Sequence, residues 1–91
     1  MLRFETTKKF DRDLKRIKKR NLDLSLMDEV VQTLLEEKPL DPKHNDHALK
    51  GDYAGFRECH VRPDWLLIYQ VDKGNLILTA TRTGSHSDLF E

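Results

Sequence analysis

Halfway along the chain the spacing of apolar residues changes from a helical to a strand period, and this switch restricts the fold more than any other feature. Leu24, Met27, Val30, Val31, Leu34 and Leu35 recur every three or four residues, which places them on one side of an α-helix. Ser25 with Asp28 resembles a capping box at its start, and Pro39 marks its end. Phe10, Leu14 and Ile17 share a face in the same way and predict an earlier helix over about 7–20, capped at Thr6-Thr7 and ended at Asn21.

After that point, three runs read as strands: 55–61, 65–71 and 76–83. The turns Arg62-Pro63-Asp64 and Asp72-Lys73-Gly74-Asn75 join them into an antiparallel meander. Leu2-Arg3-Phe4-Glu5 alternates apolar and polar and predicts one more short strand, and Ser85 is placed to cap a single helical turn near the C-terminus. The order strand, helix, helix, strand, strand, strand is an α+β plan. The helical hairpin buries its apolar stripe against one face of a small, mainly antiparallel sheet and leaves the other face available. Residues 39–54, rich in Pro, Asp and Gly, follow neither period and read as a long ordered loop. In a small domain such a loop is functional or disordered, and its two histidines favour function.

At 91 residues the chain is expected to form one domain, 1–91. No apolar run approaches the roughly 18 residues of a membrane span, and the start has no signal-peptide core, so a cytoplasmic protein without membrane contact is expected. The single cysteine, Cys59, excludes an internal disulfide framework and multi-cysteine zinc modules. Sixteen Lys and Arg balance 16 Asp and Glu, which argues against an overtly basic nucleic-acid binder. The neutrality is a cancellation, however. Residues 1–20 carry Arg3, Lys8, Lys9, Arg12, Lys15, Arg16, Lys18, Lys19 and Arg20 against Glu5, Asp11 and Asp13, a balance of +6, and the remainder is −6. A helix so charged either touches phosphate or an acidic partner, or is a solvated face.

Four histidines stand out, three of them beside carboxylates: Asp46-His47, His60 four residues before Asp64, and His86 two before Asp88, with His44 the fourth. Imidazole suits acid–base chemistry near neutral pH but also decorates surfaces. His44-x-x-His47 with His60 has ligand types found at zinc, but there is no cysteine set and no helical His-Glu-x-x-His, so no metal and no other cofactor is expected. Neither a Gly-x-Ser-x-Gly turn nor a Gly-rich phosphate loop is present. Alternation puts Phe56, Glu58 and His60 on one face of a strand and Arg57, Cys59 and Val61 on the other. Cys59 therefore reads as a buried structural thiol. Arg57 lies on an apolar face, where a bulge could separate it from its neighbours or it could bond the chain terminus. Trp65 and Tyr69 read as core, although Trp65 at a strand mouth is also placed to stack on a base.

Four segments together, Asp46-His-Ala-Leu-Lys-Gly51, Gly55-Phe-Arg-Glu-Cys-His60, Pro63-Asp-Trp-Leu-Leu-Ile-Tyr69 and Arg82-Thr-Gly-Ser-His-Ser-Asp-Leu-Phe90, resemble the YafQ-like branch of the RelE/ParE toxin superfamily, in order and over essentially the whole chain. The resemblance implies a compact RelE-like fold and a bacterial type II toxin that cleaves messenger RNA on the ribosome. It implies neutralisation by a cognate antitoxin, with operator DNA reached only through the toxin–antitoxin complex. It places functional residues at His47, His60, Asp64, Trp65, His86 and Phe90, with His47, His60, Asp64 and His86 expected to be catalytic and Trp65 and Phe90 to contact substrate; Lys50 and Arg57 are further expected substrate contacts. In the chemistry it implies, a base takes the ribose 2′-hydroxyl proton, the oxygen attacks the adjacent phosphate, and an acid protonates the departing 5′-oxygen, with no metal. His86 is then the acid or base nearest the phosphate, with Asp64 or His60 as counterpart and His47 assisting. Arg57 or Lys50 would offset phosphorane charge, and Trp65 and Phe90 would position bases or the tail. The neutral charge departs from the family's basic character, and the basic stretch 1–20 is where phosphate contacts are expected. The alternative within the superfamily is a ParE-like inhibitor of DNA gyrase, for which a histidine cluster would be unnecessary.

Overall fold

A computed structural model of the protein describes residues 1–90. It contains β1 (Arg3–Thr6), α1 (Lys8–Lys19), α2 (Leu24–Leu35), β2 (His47–Ala48), β3 (Arg57–Arg62), β4 (Trp65–Asp72), β5 (Ile77–Gly84) and α3 (His86–Phe90). One five-stranded sheet runs in the order β1-β5-β4-β3-β2. The meander β3-β4-β5 is antiparallel, as its turns require, whereas β1 lies parallel to β5 with Phe4 beside Leu78. No described helix is long and apolar enough to cross a membrane.

The helices start on side-chain caps. Thr7 Oγ1 accepts the Phe10 N–H at 3.0 Å and donates to the Thr81 carbonyl at 2.7 Å, so one hydroxyl both begins α1 and ties it to β5. The second cap differs from the expected Ser25–Asp28 box. Asp23 is the N-cap and its carboxylate accepts from both the amide and the hydroxyl of Ser25. Asparagine ends α1 as expected: Asn21 takes the left-handed conformation at φ 58°. The stretch 39–54 is more ordered than its lack of period suggests. It contains two 3₁₀ turns, Pro42–His44 and Gly51–Tyr53, and β2, a two-residue strand paired with Glu58 and Arg57.

Two cores result. On one sheet face Phe10, Ile17, Met27, Val30 and Leu34 of the helical hairpin pack on Cys59, Val61, Trp65, Leu67, Tyr69, Leu78 and Ala80. The other face, left available by the helical hairpin, is partly covered: Leu66, Ile68 and Leu89 form a second cluster beneath Leu49, Tyr53 and Phe56. Strand β4 faces both cores, which is why Trp65 through Tyr69 are buried without interruption. Beyond this cluster, on the same face, lies the end of β3 with Glu58 and His60.

Trp65 corrects an expectation. Its ring is 2% exposed and its Nε1 donates to Thr83 Oγ1 at 2.9 Å within the helix-side core, so it has no face to offer a base. Cys59 is fully buried, and burial pushes its thiol up to about 12, which leaves no thiolate for nucleophilic chemistry.

Beyond the last residue of β1, the edge of β5 is closed by a side chain. Asp13 of α1, 3% exposed, accepts the Thr83 N–H at 3.1 Å and both Nε and Nη2 of Arg82 at 2.7 and 3.1 Å. Removing that carboxylate strands a buried N–H and a half-covered guanidinium. Asp13→Ala should therefore cost about 3 kcal/mol of stability by denaturant unfolding; a loss under about 1 kcal/mol would show that water replaces the carboxylate.

Candidate active site

The strand alternation that buries Cys59 turns Glu58 and His60 to the opposite face, and β2 brings His47 alongside, since His47 pairs with Glu58 across the ladder. Glu58 is 5% exposed and its Oε1 lies 3.6 Å from Nε2 of His47 and 3.6 Å from Nε2 of His60. The other nitrogens are fixed by backbone carbonyls, which only accept. His47 Nδ1–H donates to Asn45 O at 2.7 Å and His60 Nδ1–H to Pro63 O at 3.2 Å. Both rings are thus held in the tautomer whose Nε2 points into the site.

His86 enters from the C-terminal end of β5. Its backbone N–H and its Nδ1–H both donate to Asp64 Oδ1, at 3.0 and 2.8 Å, so a carboxylate on the β3–β4 turn fixes ring and backbone together. These donors, the backbone N–H first, hold the Asp64 carboxyl below its usual range. The rings of His60 and His86 stand 5.8 Å apart, and Phe90, four residues on in α3, lies 6.5 Å from His86 and edge-on to Tyr53 at 5.8 Å.

The structure therefore gathers His47, His60, Asp64, His86 and Phe90, and adds Glu58. That residue carried a sequence signal, its place on the same strand face as His60, but a Glu in a strand looks like a solvated residue until its burial is known. Two expected residues, Trp65 and Arg57, lie elsewhere. Trp65 belongs to the core. Arg57 faces the helix side, where its Nε donates to Asp46 at 3.3 Å beside the Tyr69 hydroxyl, itself 2.6 Å from the same Asp46 oxygen; alternation holds through this residue with no bulge at Arg57, and the expected bond to the chain terminus lies outside the described residues. The ladder shifts register later, between His60 and Arg62. Lys50 is exposed at the start of the second 3₁₀ turn with no ion pair among the described residues. His44 does not join His47 and His60 as a ligand set: its Nδ1–H donates to the His60 carbonyl at 2.6 Å and so supports the strand. A different trio, Glu58, His60 and His86, has donor atoms within 4.8 Å of one another, two imidazoles and a carboxylate of the kind that hold borderline transition-metal ions.

A small α+β domain whose open sheet face holds a buried carboxylate, three imidazoles and an orienting aspartate carries the constellation of a general acid–base site. The chain belongs to the YafQ family: the family described as "Bacterial toxin of type II toxin-antitoxin system, YafQ" matches residues 2–91. The mRNA interferase toxin YafQ of Escherichia coli (strain K12) is 36% identical over 88 residues, covering 94% of this chain and 92% of that protein. Among solved structures, YafQ in the E. coli DinJ–YafQ complex is 33% identical with TM-score 0.90 and full coverage of both chains. A metal-bound toxin from Helicobacter pylori is 53% identical with TM-score 0.94, covering 99% of this chain and 100% of that one.

Proposed function

We propose that this protein is the toxin of a type II toxin–antitoxin system and an endoribonuclease that cleaves messenger RNA on the ribosome, in the cytoplasm, held inactive by an antitoxin as DinJ accompanies YafQ. The observation that carries the reading is the pair His60 and His86, with rings 5.8 Å apart and their Nδ1–H groups fixed by Pro63 and Asp64. Two imidazoles so held serve the two proton transfers of cleavage: one takes the 2′-hydroxyl proton as its oxygen attacks the phosphate, and the other gives a proton to the departing 5′-oxygen. Asp64 is engaged by His86 and acts as its orienting acceptor, which makes His60 the counterpart. Glu58, between His47 and His60, stabilises whichever ring holds the extra proton. Phe90, 46% exposed beside His86, offers a surface on which a base stacks.

The test is incubation with programmed ribosomes and mapping of RNA ends. Breaks within the bound codon carrying 2′,3′-cyclic phosphate and 5′-hydroxyl termini, undiminished by EDTA, are expected; intact messages with DNA gyrase trapped instead would establish the ParE-like alternative. The donor trio fits a metal ion, and relatives from H. pylori are described as metal-bound and copper-bound toxins. An ion seated on these residues occupies the lone pairs that proton transfer uses, so added Zn²⁺ should inhibit and EDTA should restore the rate.

Docking on ribosomal RNA falls to α1, the basic helix. Lys18 and Lys19 are exposed and free of ion pairs among the described residues, whereas Arg16 and Arg20 face Asp88. Replacing both lysines by alanine should weaken ribosome binding and flatten its dependence on salt by about 1.5 in log–log slope. An unchanged slope would remove this face of α1 from the contact.

A further inference from the structure

We propose that Arg20 and Asp88 are positioning residues for His86: a two-point ion pair from the end of α1 fixes the short C-terminal helix and, through it, the imidazole's place opposite His60. This rests on the acid–base role proposed above for His86.

Helix α3 has five residues, far too few to be stable alone. Leu89 anchors one side in the second core. Its start is a reciprocal cap, in which Ser85 Oγ accepts the Asp88 N–H at 3.1 Å and Asp88 Oδ2 accepts the Ser85 N–H at 2.9 Å. The same carboxylate then takes Nη1 and Nη2 of Arg20 at 2.6 and 2.9 Å, with Arg16 a further 3.5 Å away. Fork-to-fork pairing of guanidinium with carboxylate fixes direction as well as distance. Asp88 is charged yet only 12% exposed, while Arg20 is 43% exposed, and the Arg20 bonds hold the Asp88 carboxyl far below its usual range. The backbone is shaped around the carboxylate. A Cβ on Gly84 would sit 2.8 Å from Asp88 Oδ2 and 2.9 Å from Asp88 Cβ, closer than atoms can approach.

His86 is thus held from two directions. Asp64 fixes the ring from the β3–β4 turn, and Arg20 fixes the helix that carries it from α1. With the second tie gone, α3 keeps its cap, Leu89, the Phe90–Tyr53 contact and the Asp64 bond at its first residue, but no charged tie from α1 fixes its direction, and the ring loses its constant distance to His60. Misplacement by about 1 Å in such a site costs on the order of a hundredfold in rate.

The experiment is single-turnover cleavage on saturating programmed ribosomes. Asp88→Asn is the decisive variant because it removes the carboxylate charge without removing a cation that could contact ribosomal RNA. A rate at least about tenfold lower is expected, with the half-saturating ribosome concentration, read by repeating the assay at lower concentrations, within about twofold. Arg20→Lys, which keeps the charge but loses the two-point geometry, should recover only part of the rate relative to Arg20→Ala, and the exchange Arg20→Asp with Asp88→Arg should also recover part of it. Full rates in Asp88→Asn and Arg20→Ala would overturn the proposal, as would a loss explained by a fall in Tm that leaves protein unfolded at the assay temperature. Should the wild-type protein leave RNA intact, the nuclease reading fails by itself, and hydrogen exchange decides the clasp. The Leu89 amide, bonded to Ser85 O at 3.2 Å, should lose protection in Asp88→Asn; unchanged protection would refute it.

Discussion

Replacing His86 by alanine should lower the single-turnover rate of message cleavage on programmed ribosomes by about a thousandfold, and replacing His60 should do nearly the same. General acid–base groups contribute roughly 10² to 10⁴ each, and because the two imidazoles serve one proton relay, the double variant should be little slower than either single one. The exposed position of His86 means that its loss should leave thermal unfolding nearly unmoved, so the rate reports chemistry. A His86→Ala protein that still cuts at a tenth of the normal rate would take the proton transfer away from this residue. Acidity tests the orienting role of Asp64. Its carboxyl is lowered by the His86 donors, so the Asp64–His86 link is fully present above the ordinary carboxylate value near 3.8 and fades only as pH falls through the lower folded value. Asp64 therefore stays charged between pH 7 and 5, and Asp64→Asn should lower the rate by a similar factor at both ends of that range.

The second large effect concerns stability. Trp65→Ala empties the middle of the helix-side core and strips Thr83 Oγ1 of its indole donor, at a cost of about 3–5 kcal/mol. A domain of this size has only about 5–15 kcal/mol in all, so Tm should fall by more than about 15 °C. Trp65 is the only tryptophan, which makes the check direct. Emission should be that of a buried indole and indifferent to RNA; a red-shifted emission quenched by RNA would return Trp65 to the substrate surface.

The sequence expectations succeed or fail for reasons that lie in particular residues. The helical hairpin and the meander were legible because Phe10, Ile17, Met27, Val30 and Leu34 keep one period and Cys59, Leu67 and Tyr69 another, and burial enforces both. Strand β2 was not, because two residues have no period to read; its existence depends on the edge of β3 needing partners. His60 and His86 were legible as chemistry but not as neighbours, since their meeting depends on the β3–β4 turn and α3 arriving at one end of the sheet. Trp65 was ambiguous because an aromatic at a strand mouth packs or stacks with equal ease, and only the helix hairpin above it decides. Glu58 and the Arg20–Asp88 pair escaped notice because a charged residue shows its burial and its partner only in three dimensions.

The parallel alignment of β1 with β5 bears on the order in which the molecule assembles. Pairing Arg3 with Ile77 closes a loop of nearly the entire chain, whereas β3, β4 and β5 meet through short turns, and loop entropy places the distant pairing last. The strands that carry Glu58 and His60, and lead into His86, are then in register before the N-terminal strand arrives. Changes in β1 should accordingly speed unfolding while leaving the folding rate almost untouched.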